Sequence, residues 1–402
     1  MRISTNMMYQ KGIRSIQDAS QRLDAANQQY SSGEKFSSSG EDPIGMSEKL
    51  SLNSKIELYK QYDTNGSLLN SSLSLEETVL TSVHTAMSSA YSLIQRSNNS
   101  SLSAADRSSI GTELGELQKQ LADLMNSKNA DGEYIFGGNQ SQTQPFVQDS
   151  SGNYQYQGDT GQRLIQVAPS VQIASNDSGL YLFQAVATRR TASATSGNVT
   201  ANITDQSQYE NYYRNNYDFS VSANNQFTIN TIAGAPDQYQ IKDSSGAVLQ
   251  SGDYQAGTAI NYHGLSLSMS IAAGSSVESF QLDPPQNDNI LNTLAQAIAV
   301  LKNPNSSSSS LTKTVADTQS HLNNAMTKVN TTLGELGGRM NNLDQITNSN
   351  SALSSIDQEA KANVSEVDMY EAISKVVQEQ NSLTAAQQAY SKIQKSTLFD
   401  YL

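Results

Sequence analysis

Apolar residues repeat in alternating steps of four and three residues near both ends of the chain. One such run covers residues 110–124 and a second covers 322–343. A third covers 369–390, where Gln380 and Gln387 occupy two of the seven positions. These steps keep apolar side chains on one narrow face of an α-helix, as in helices that pack as coiled coils. The sequence therefore predicts long helices in both terminal regions, and the matching runs predict that these helices pack together.

The N-terminal region shows the same period with clear stop and start signals. Ile16, Leu23 and Tyr30 recur every seven residues, and the run ends at the segment 31–33, Ser-Ser-Gly. Pro43 suits the first turn of the next helix, which apolar spacing extends to about residue 96. Two helices are therefore predicted within the first hundred residues.

Further helix boundaries follow from local chemistry. Ser103 followed by Asp106 predicts a capping box at the start of the helix that carries the first seam. Residues 290–301 predict a short helix after Pro284 and Pro285, and the five serines 306–310 predict the loop that follows it. Glycines within the 322–343 seam weaken that helix and allow a neighbouring helix to approach closely.

The middle of the chain, about 134–282, has a different pattern. Segments 227–229, 239–241 and 265–271 alternate apolar and polar residues, which predicts half-buried strands. Residues 244–246 predict a hairpin turn, and the small polar residues 191–204 predict a connection into this region. The fold expected is α+β and multidomain: an elongated helical bundle or coiled coil made from both chain ends, with an inserted β-rich domain.

Three domains are predicted from these patterns. Terminal assembly helices comprise 1–42 with 355–402, a helical rod domain with a β-hairpin region comprises 43–189 with 284–354, and a β-rich outer domain comprises 190–283. The terminal helices carry narrow apolar stripes on otherwise polar surfaces, so they gain most by joining other copies or a partner. The residues predicted for this assembly interface are Ile13, Ile16, Leu23, Tyr30, Ile373, Val376, Leu383, Tyr390, Leu398 and Phe399.

Composition excludes several functional classes. The chain of 402 residues has 38 acidic and 25 basic side chains, a net charge of −13, and no cysteine. Such a charge argues against nucleic-acid or anionic-membrane binding, and the missing cysteines exclude disulfides and thiolate sites. No apolar run is long enough for a membrane span, and the first ten residues predict no cleavable secretory signal.

The search for catalytic, cofactor and metal sites predicts none. The histidines at 84, 263 and 321 lie far apart in the sequence, and each is interpreted as a surface or structural residue. Residues 127–138 match part of a calcium loop, but Ser127 and Gly138 stand where the first ligand and the bidentate glutamate are needed. We therefore expect neither an enzyme nor a metal or cofactor.

Four short motifs occur in order along the chain. They are Met1–Thr5 with Met7–Tyr9, then Ser31–Phe36 with Glu41–Gly45, then Asp131–Gly138 with Pro145 and Phe146, and finally Gln380–Leu402. Together they resemble axial flagellar proteins of the flagellin class over residues 1–150 and 285–402. In the second motif, Glu34 interrupts the usual Gly-Lys pair and Phe36 replaces a basic or aliphatic residue. The last two motifs are similar to the hook-associated protein 3 family, because flagellins usually lack the Leu-Phe-x-Tyr-Leu ending.

This resemblance implies a structural role outside the cell. Members of that family form a ring between hook-associated protein 1 on the hook side and flagellin on the filament side, and they bind an export chaperone. Their terminal segments are disordered in the monomer and become helices on assembly. They leave the cell through the flagellar type III channel without a cleaved signal, so an extracellular location in the flagellum is expected.

Two other functions stay open at this point. Flagellin itself is the alternative within the class. A secreted adhesin or enzyme that uses the β-rich insert is the alternative in another class, and it requires a pocket with convergent polar groups within 190–283.

Overall fold

The computed structural model describes residues 5–99 and 101–399, with side chains described for 7–99 and 101–394. The helices are α1 (Thr5–Ser32), α2 (Pro43–Ser97), α3 (Ala104–Met125), α4 (Gln206–Asn216), α5 (Ile290–Lys302), α6 (Ser308–Ser365) and α7 (Met369–Phe399). Most of these residues lie in the two terminal regions. The α+β fold, with helices from both chain ends that pack together and a β-rich segment between them, is confirmed.

The predicted helix boundaries have local causes. Gly33 follows the last residue of α1 with φ +71°, a left-handed conformation that glycine adopts without strain, and its N–H donates to the Gln29 carbonyl. Pro43 is the first residue of α2. At the start of α3, Ser103 Oγ accepts from the backbone N–H of Asp106, whose carboxylate accepts from the Ser103 N–H. Residues next to each boundary therefore determine the end of α1 and the starts of α2 and α3.

The strands form small antiparallel sheets. They are β1 (Phe146–Gln148), β2 (Tyr154–Tyr156), β3 (Leu164–Ala168), β4 (Val171–Ala174), β5 (Val186–Ala187), β6 (Ala192–Ala194), β7 (Val199–Ile203), β8 (Gln226–Ile232), β9 (Gln238–Lys242), β10 (Val248–Asp253), β11 (Ala259–Tyr262), β12 (Leu265–Met269), β13 (Val277–Leu282) and β14 (Asn287–Asp288). A five-stranded sheet has the order β10-β9-β8-β13-β6, and a three-stranded sheet has the order β11-β12-β7. The predicted hairpin at 244–246 joins β9 to β10, with Gly246 at φ +85°.

Contacts within the chain define two compact units. Among the described residues, the first comprises 5–70, 164–173 and 339–399, and the second comprises 71–99, 101–163 and 174–338. The first unit holds α1, α7 and the hairpin β3–β4. The unit also contains parts of α2 and α6. The hairpin is hydrogen-bonded to both, because the amides of Asn65 on α2 and Asn350 on α6 donate to the carbonyls of Gln166 and Val167.

The second unit holds the remaining sheets with a tyrosine-rich core. Tyr209 and Tyr213 on α4 are buried, and their hydroxyls donate to the carbonyls of Thr191 and Asp283 at 2.6 and 2.7 Å. Burial raises the pKa of both phenols, so they stay neutral. Each phenol therefore contributes apolar area while its polar atom remains bonded.

Three details of the sequence interpretation were wrong. The segment 191–204 is not a plain connection, because it contains β6 and β7, which pair with β13 and β12. The serine loop ends early, since α6 begins at Ser308, where Ser307 Oγ accepts from the Ser310 N–H as a helix cap. The glycines of the 322–343 seam (Gly334, Gly337 and Gly338) face open space rather than a closely packed helix.

Candidate assembly surface

Helices α1 and α7 pack antiparallel within the first unit. At one end the Tyr9 and Tyr390 rings meet edge to face, with centroids 6.1 Å apart. Farther along, Arg22 Nε donates to Glu379 Oε2 at 3.0 Å. At the other end, Lys375 Nζ donates to Gln29 Oε1 at 3.1 Å. The two ends of the sequence are thereby held together along several turns of helix.

The apolar seam between these helices is narrow. Ala19, Leu23 and Ala26 are buried on α1, and Ala372 is buried on α7. Small side chains bring the helix axes close but bury little area, and exposed ion pairs such as Arg22–Glu379 contribute less than about 1 kcal/mol. The pair therefore has limited stability of its own.

The structure places the predicted interface residues in three different environments. Leu23 is buried; Ile16, Val376, Leu383 and Tyr390 are half-buried; and Ile13, Tyr30 and Ile373 are exposed. Leu398 and Phe399 belong to α7, but their side chains lie outside the described residues. The half-buried members face the partner helix only in part, so the same side chains remain available to a further partner.

A second apolar face on α7 was predicted only in part, because Ile373 is among the predicted interface residues but Tyr370 and Val377 are not. Tyr370, Ile373 and Val377 are spaced by three and four residues, so they lie on one face of the helix, and they are 86%, 45% and 54% exposed. Met369 is exposed beside them. The 4-3 spacing marks seam residues such as Met369 and Val376. The sequence signal for the second face is that an apolar residue directly follows each of these two, at Tyr370 and Val377. We call Tyr370, Ile373 and Val377 the α7 stripe.

The segments that lead into α2 and α7 pair with each other. Lys35 N–H donates to the Ser365 carbonyl at 2.8 Å, and Val367 N–H donates to the Gly33 carbonyl at 3.0 Å. The carboxylate of Glu34, which lies between Gly33 and Lys35, forms an ion pair with the ammonium of Lys49. These two hydrogen bonds form a short antiparallel bridge between the segment that follows α1 and the segment that precedes α7.

The motif at 41–45 builds the start of α2. Asp42 Oδ1 accepts from the N–H groups of Ile44 and Gly45 at 3.1 and 2.9 Å, as a helix cap does. Phe36 is buried against this turn, and a Cβ on Gly45 would lie 2.8 Å from its ring. The glycine is thus needed for the close approach of Phe36.

The motif at 131–138 forms a hydrogen-bonded turn in the second unit. Glu133 accepts from the Arg163 guanidinium and from Ser141 Oγ, and the guanidinium lowers the pKa of Glu133. Asn129 Oδ1 accepts from the backbone N–H groups of Asp131 and Glu133. The oxygen that would be a ligand in a calcium loop therefore closes a turn.

His321 is a buried structural residue, 1% exposed, in the second unit. Its Nδ1 lies 2.6 Å from Thr293 Oγ1 and its Nε2 lies 3.1 Å from the Val186 carbonyl. A carbonyl only accepts, so Nε2 carries the proton and Nδ1 accepts from the threonine hydroxyl. Burial lowers the pKa of His321, although the carboxylate of Asp288 opposes this effect.

A polar cleft of about 450 Å³ lies beside His321 in the same unit. Its residues Thr191, Gln281 and Asp283 come from the insert, and the rest come from flanking segments. Arg189 Nε donates to Asp317 Oδ1 at 2.6 Å, and Asp283 accepts from the Thr191 hydroxyl. These charged groups are used in contacts within the unit, which favours a structural role of the cleft.

The described residues give no sign of a membrane or multi-carboxylate metal site. None of the helices in that part of the chain has the length and apolar character to span a bilayer. Across the same residues, no three His, Cys, Asp or Glu side chains converge to hold a metal ion. The apolar surface of α1 and α7 is therefore the feature that most needs a functional explanation.

Comparison with known proteins shows which proteins the chain resembles. Residues 3–141 match the profile of the bacterial flagellin N-terminal helical region. The chain is 31% identical over 186 residues to flagellar hook-associated protein 3 of Salmonella typhimurium, and 31% identical over 192 residues to that of Escherichia coli. The resemblance to hook-associated protein 3 is confirmed. These matches cover 46% and 48% of this chain but 58% and 60% of the relatives, so the chain spans somewhat over half of their length.

A solved structure extends the likeness to the fold of this flagellin-like chain. A crystal structure of flagellar hook associated protein-3 from Legionella pneumophila aligns with a TM-score of 0.60. The alignment covers 78% of this chain and 98% of that one, at 24% sequence identity. At this identity the comparison shows a shared fold.

Proposed function

We propose that this chain is a structural, non-enzymatic junction protein of the bacterial flagellum. In this proposal it joins hook to filament, and it assembles into a ring of identical subunits through α1 and α7. The observation that carries the proposal is the apolar surface left exposed on these two helices, above all the α7 stripe. The named relatives, which are flagellar hook-associated proteins, support it.

The energetics of the helix pair favour assembly. Burying an aliphatic side chain such as Ile or Val contributes about 1.5–3 kcal/mol. The α7 stripe with Ile13 and Tyr30 therefore offers several kcal/mol to an interface, enough to offset part of the cost of association. A ring adds multivalency, because each subunit uses the surface with two neighbours.

The proposed partners follow from this position. Hook-associated protein 1 would contact the ring on the hook side, flagellin would contact it on the filament side, and an export chaperone would hold the terminal segments before assembly. The chain would act outside the cell, after export without a cleaved signal. In the proposed division, the terminal helices (1–42 with 355–402) form the contacts between subunits. The rod domain (43–189 with 284–354) supports them, and the β-rich domain (190–283) faces outward.

Deletion of residues 367–402 tests the proposal coarsely. We expect a folded, soluble protein that no longer joins filament to hook in a strain lacking its native copy. A truncated chain that still supports normal filaments would contradict the proposed role.

A substitution test is sharper because it keeps the chain length. The test variant carries serine at all three positions of the α7 stripe, and the matched control carries serine at the exposed polar positions Glu371 and Gln378, which lie on another face of the same helix. We expect the test variant to shed flagellin into the medium and the control to keep its filaments. Equal filament counts in the two variants would refute assembly through this surface.

The position of the protein in purified flagella separates the alternatives. Immunogold labelling is expected to give one thin band at the boundary of hook and filament. Labelling along the whole filament, or growth of long filaments from the purified chain alone, would instead favour flagellin.

A further inference from the structure

The α7 stripe lies on the face of α7 that is turned away from α1. Successive residues of an α-helix are rotated by about 100° around the helix axis. Ala372 is buried in the seam with α1, and on this geometry Tyr370 and Val377 are rotated from it by about 160° and 140°. These two exposed side chains therefore point away from α1.

Helix α1 has a corresponding face that is turned away from α7. Leu23 is buried in the seam, and Ala25 and Gln28 are rotated from it by about 160° and 140°. Ser32 lies one turn after Gln28, and these two residues with Ala25 line a cavity of about 430 Å³. We call Ala25, Gln28 and Ser32 the α1 face. The α7 stripe and the α1 face therefore lie on opposite sides of the helix pair.

The α7 stripe and the α1 face also lie at the same level along the two helices. Lys375 Nζ donates to Gln29 Oε1 at 3.1 Å, so the start of α7 is aligned with the end of α1. Lys375 lies within the sequence span of the stripe, and Gln29 lies within that of the α1 face. Two copies that stand side by side with parallel helices therefore bring the stripe of one copy against the α1 face of the next.

The cavity beside the α1 face suits a tyrosine side chain. Phe36 and Val364 supply apolar lining, and Glu41 supplies a carboxylate. The Ser37 N–H donates to Glu41 Oε2 at 2.9 Å and lowers the pKa of Glu41, so the carboxylate is ionised and has further acceptor positions. A cavity of about 150 Å³ already holds benzene. The ring of Tyr370 therefore fits, and its hydroxyl has an acceptor within the same cavity.

Contacts between identical copies follow simple symmetry rules. A contact that uses the same patch on both copies is satisfied in a dimer. A contact between two different patches continues from copy to copy, and it closes into a ring when the rotation allows. Because the α7 stripe and the α1 face lie on opposite sides of one helix pair, they form a contact of the second kind.

We propose that the α7 stripe of one copy packs against the α1 face of the next copy, with Tyr370 inserted in the cavity. The partner of the stripe is therefore a second copy of the same chain, arranged head to tail. This arrangement rests on the proposed ring of subunits and specifies which two surfaces meet in it.

The contact is small for an isolated dimer. Each aromatic side chain buries about 150–250 Å², whereas stable interfaces bury about 1,200–2,000 Å² in total. Copies therefore meet through this contact where assembly holds them together at high effective concentration. The test accordingly uses the full chain in purified flagella.

Disulfide cross-linking tests the arrangement, because the chain has no cysteine of its own. One test variant combines Ala25→Cys with Val377→Cys, and a second combines Ser32→Cys with Tyr370→Cys. The matched control combines Ala25→Cys with Gln378→Cys, which is exposed on another face of α7. A disulfide needs Cα atoms about 4.4–6.8 Å apart, so positions on opposite sides of the helix pair cannot be joined within one copy.

Each variant replaces the native copy in cells, and the purified flagella are oxidised with copper phenanthroline and analysed on non-reducing gels. We expect a ladder of dimers, trimers and larger species in the test variants, which dithiothreitol removes, and only monomer in the control. Monomer alone in both test variants, or an equal ladder in the control, overturns the head-to-tail contact and leaves the junction role standing. Absence of the wild-type chain from purified flagella overturns both.

Single substitutions decide the matter if the double variants do not enter flagella. Ala25→Cys and Val377→Cys are then produced as separate chains with tags of different size, together with the wild-type chain. Oxidation must yield a dimer that contains both tags. Absence of that mixed dimer overturns the arrangement.

Discussion

Tyr390 on α7 packs against Tyr9 on α1 with ring centroids 6.1 Å apart and planes at 75°. The α1 backbone approaches the same ring at Gly12, where a Cβ would lie 2.7 Å from Tyr390 Cδ2. This contact joins residues from opposite ends of the sequence. It makes the close approach of α1 and α7 at Tyr390 depend on one glycine.

The first prediction compares Gly12→Ala with Gly115→Ala. Alanine favours a helix over glycine by about 1 kcal/mol, and at Gly115 on α3 the added methyl meets open space. Gly115→Ala should therefore stabilise the protein by up to that amount, whereas Gly12→Ala should displace Tyr390 and lose the gain. Limited proteolysis should detect faster cleavage near both termini in Gly12→Ala alone. Equal protection of the two variants would show that the close approach is unimportant.

A second prediction concerns the start of α2. In Gly45→Ala the new methyl meets the Phe36 ring and the Asp42 carboxylate, which disturbs the helix cap. We expect a loss of about 0.5–2 kcal/mol, the range for removal of an N-cap, together with faster hydrogen exchange in the first turn of α2. Gly40→Ala is the control, because its methyl would meet only Ser38 Oγ at 3.8 Å. If both variants exchange alike, Gly45 has no special role.

Two glycines with positive φ separate backbone strain from close contact. Gly138 has φ +71° and a Cβ there would lie 2.6 Å from the Asp159 carbonyl oxygen, whereas Gly152 has φ +87° and only Gln148 Nε2 at 3.7 Å. Gly152→Ala should cost about 1–2 kcal/mol from the left-handed backbone alone. Gly138→Ala should cost more, as measured by urea unfolding. A smaller loss for Gly138→Ala would contradict the packing described around Asp159.

Stability should also depend on pH through His321. Its pKa is lowered in the folded protein, so the unfolded chain binds the proton more readily. The free energy of unfolding must therefore fall as the pH drops through the ordinary histidine pKa of about 6.5. His321→Gln removes this titration, and the difference between wild type and variant should change between pH 7.5 and pH 5, values that bracket about 6.5. A constant difference over that range would mean that His321 titrates alike in both states.

The helices of the terminal regions and the strands β8, β9 and β12 could be predicted because their signals are local. The stop at Gly33, the start at Pro43 and the capping box of Ser103 and Asp106 each depend on residues within one turn of the boundary. The strands β6 and β7 were missed because short polar sequences such as 192–194 become strands only through pairing with β13 and β12. Pairing of this kind connects residues more than sixty positions apart, and no short window contains that information.

The candidate assembly surface could likewise be predicted only in part. Heptad spacing singled out Leu23 as a seam residue, and it is buried, but spacing did not show that Tyr370 and Val377 would stay exposed. Exposure depends on what the opposite helix offers, and α1 covers only one side of α7. Likewise, the sequence around Glu278 does not indicate a buried carboxylate. Asn198 and Ser276 donate hydrogen bonds to this carboxylate only once β6, β7 and β13 have packed together.

The sequence by itself determined several helix boundaries in the terminal regions, which class of protein the chain resembles, and that its two ends carry matching apolar seams. Only the tertiary structure decided which side of each helix is covered and which polar groups are brought together. The physical reason is the separation along the sequence over which each effect acts. Capping, backbone conformation and helical periodicity act within a few residues. Burial and charge pairing depend on side chains far apart in the chain, such as Tyr9 with Tyr390.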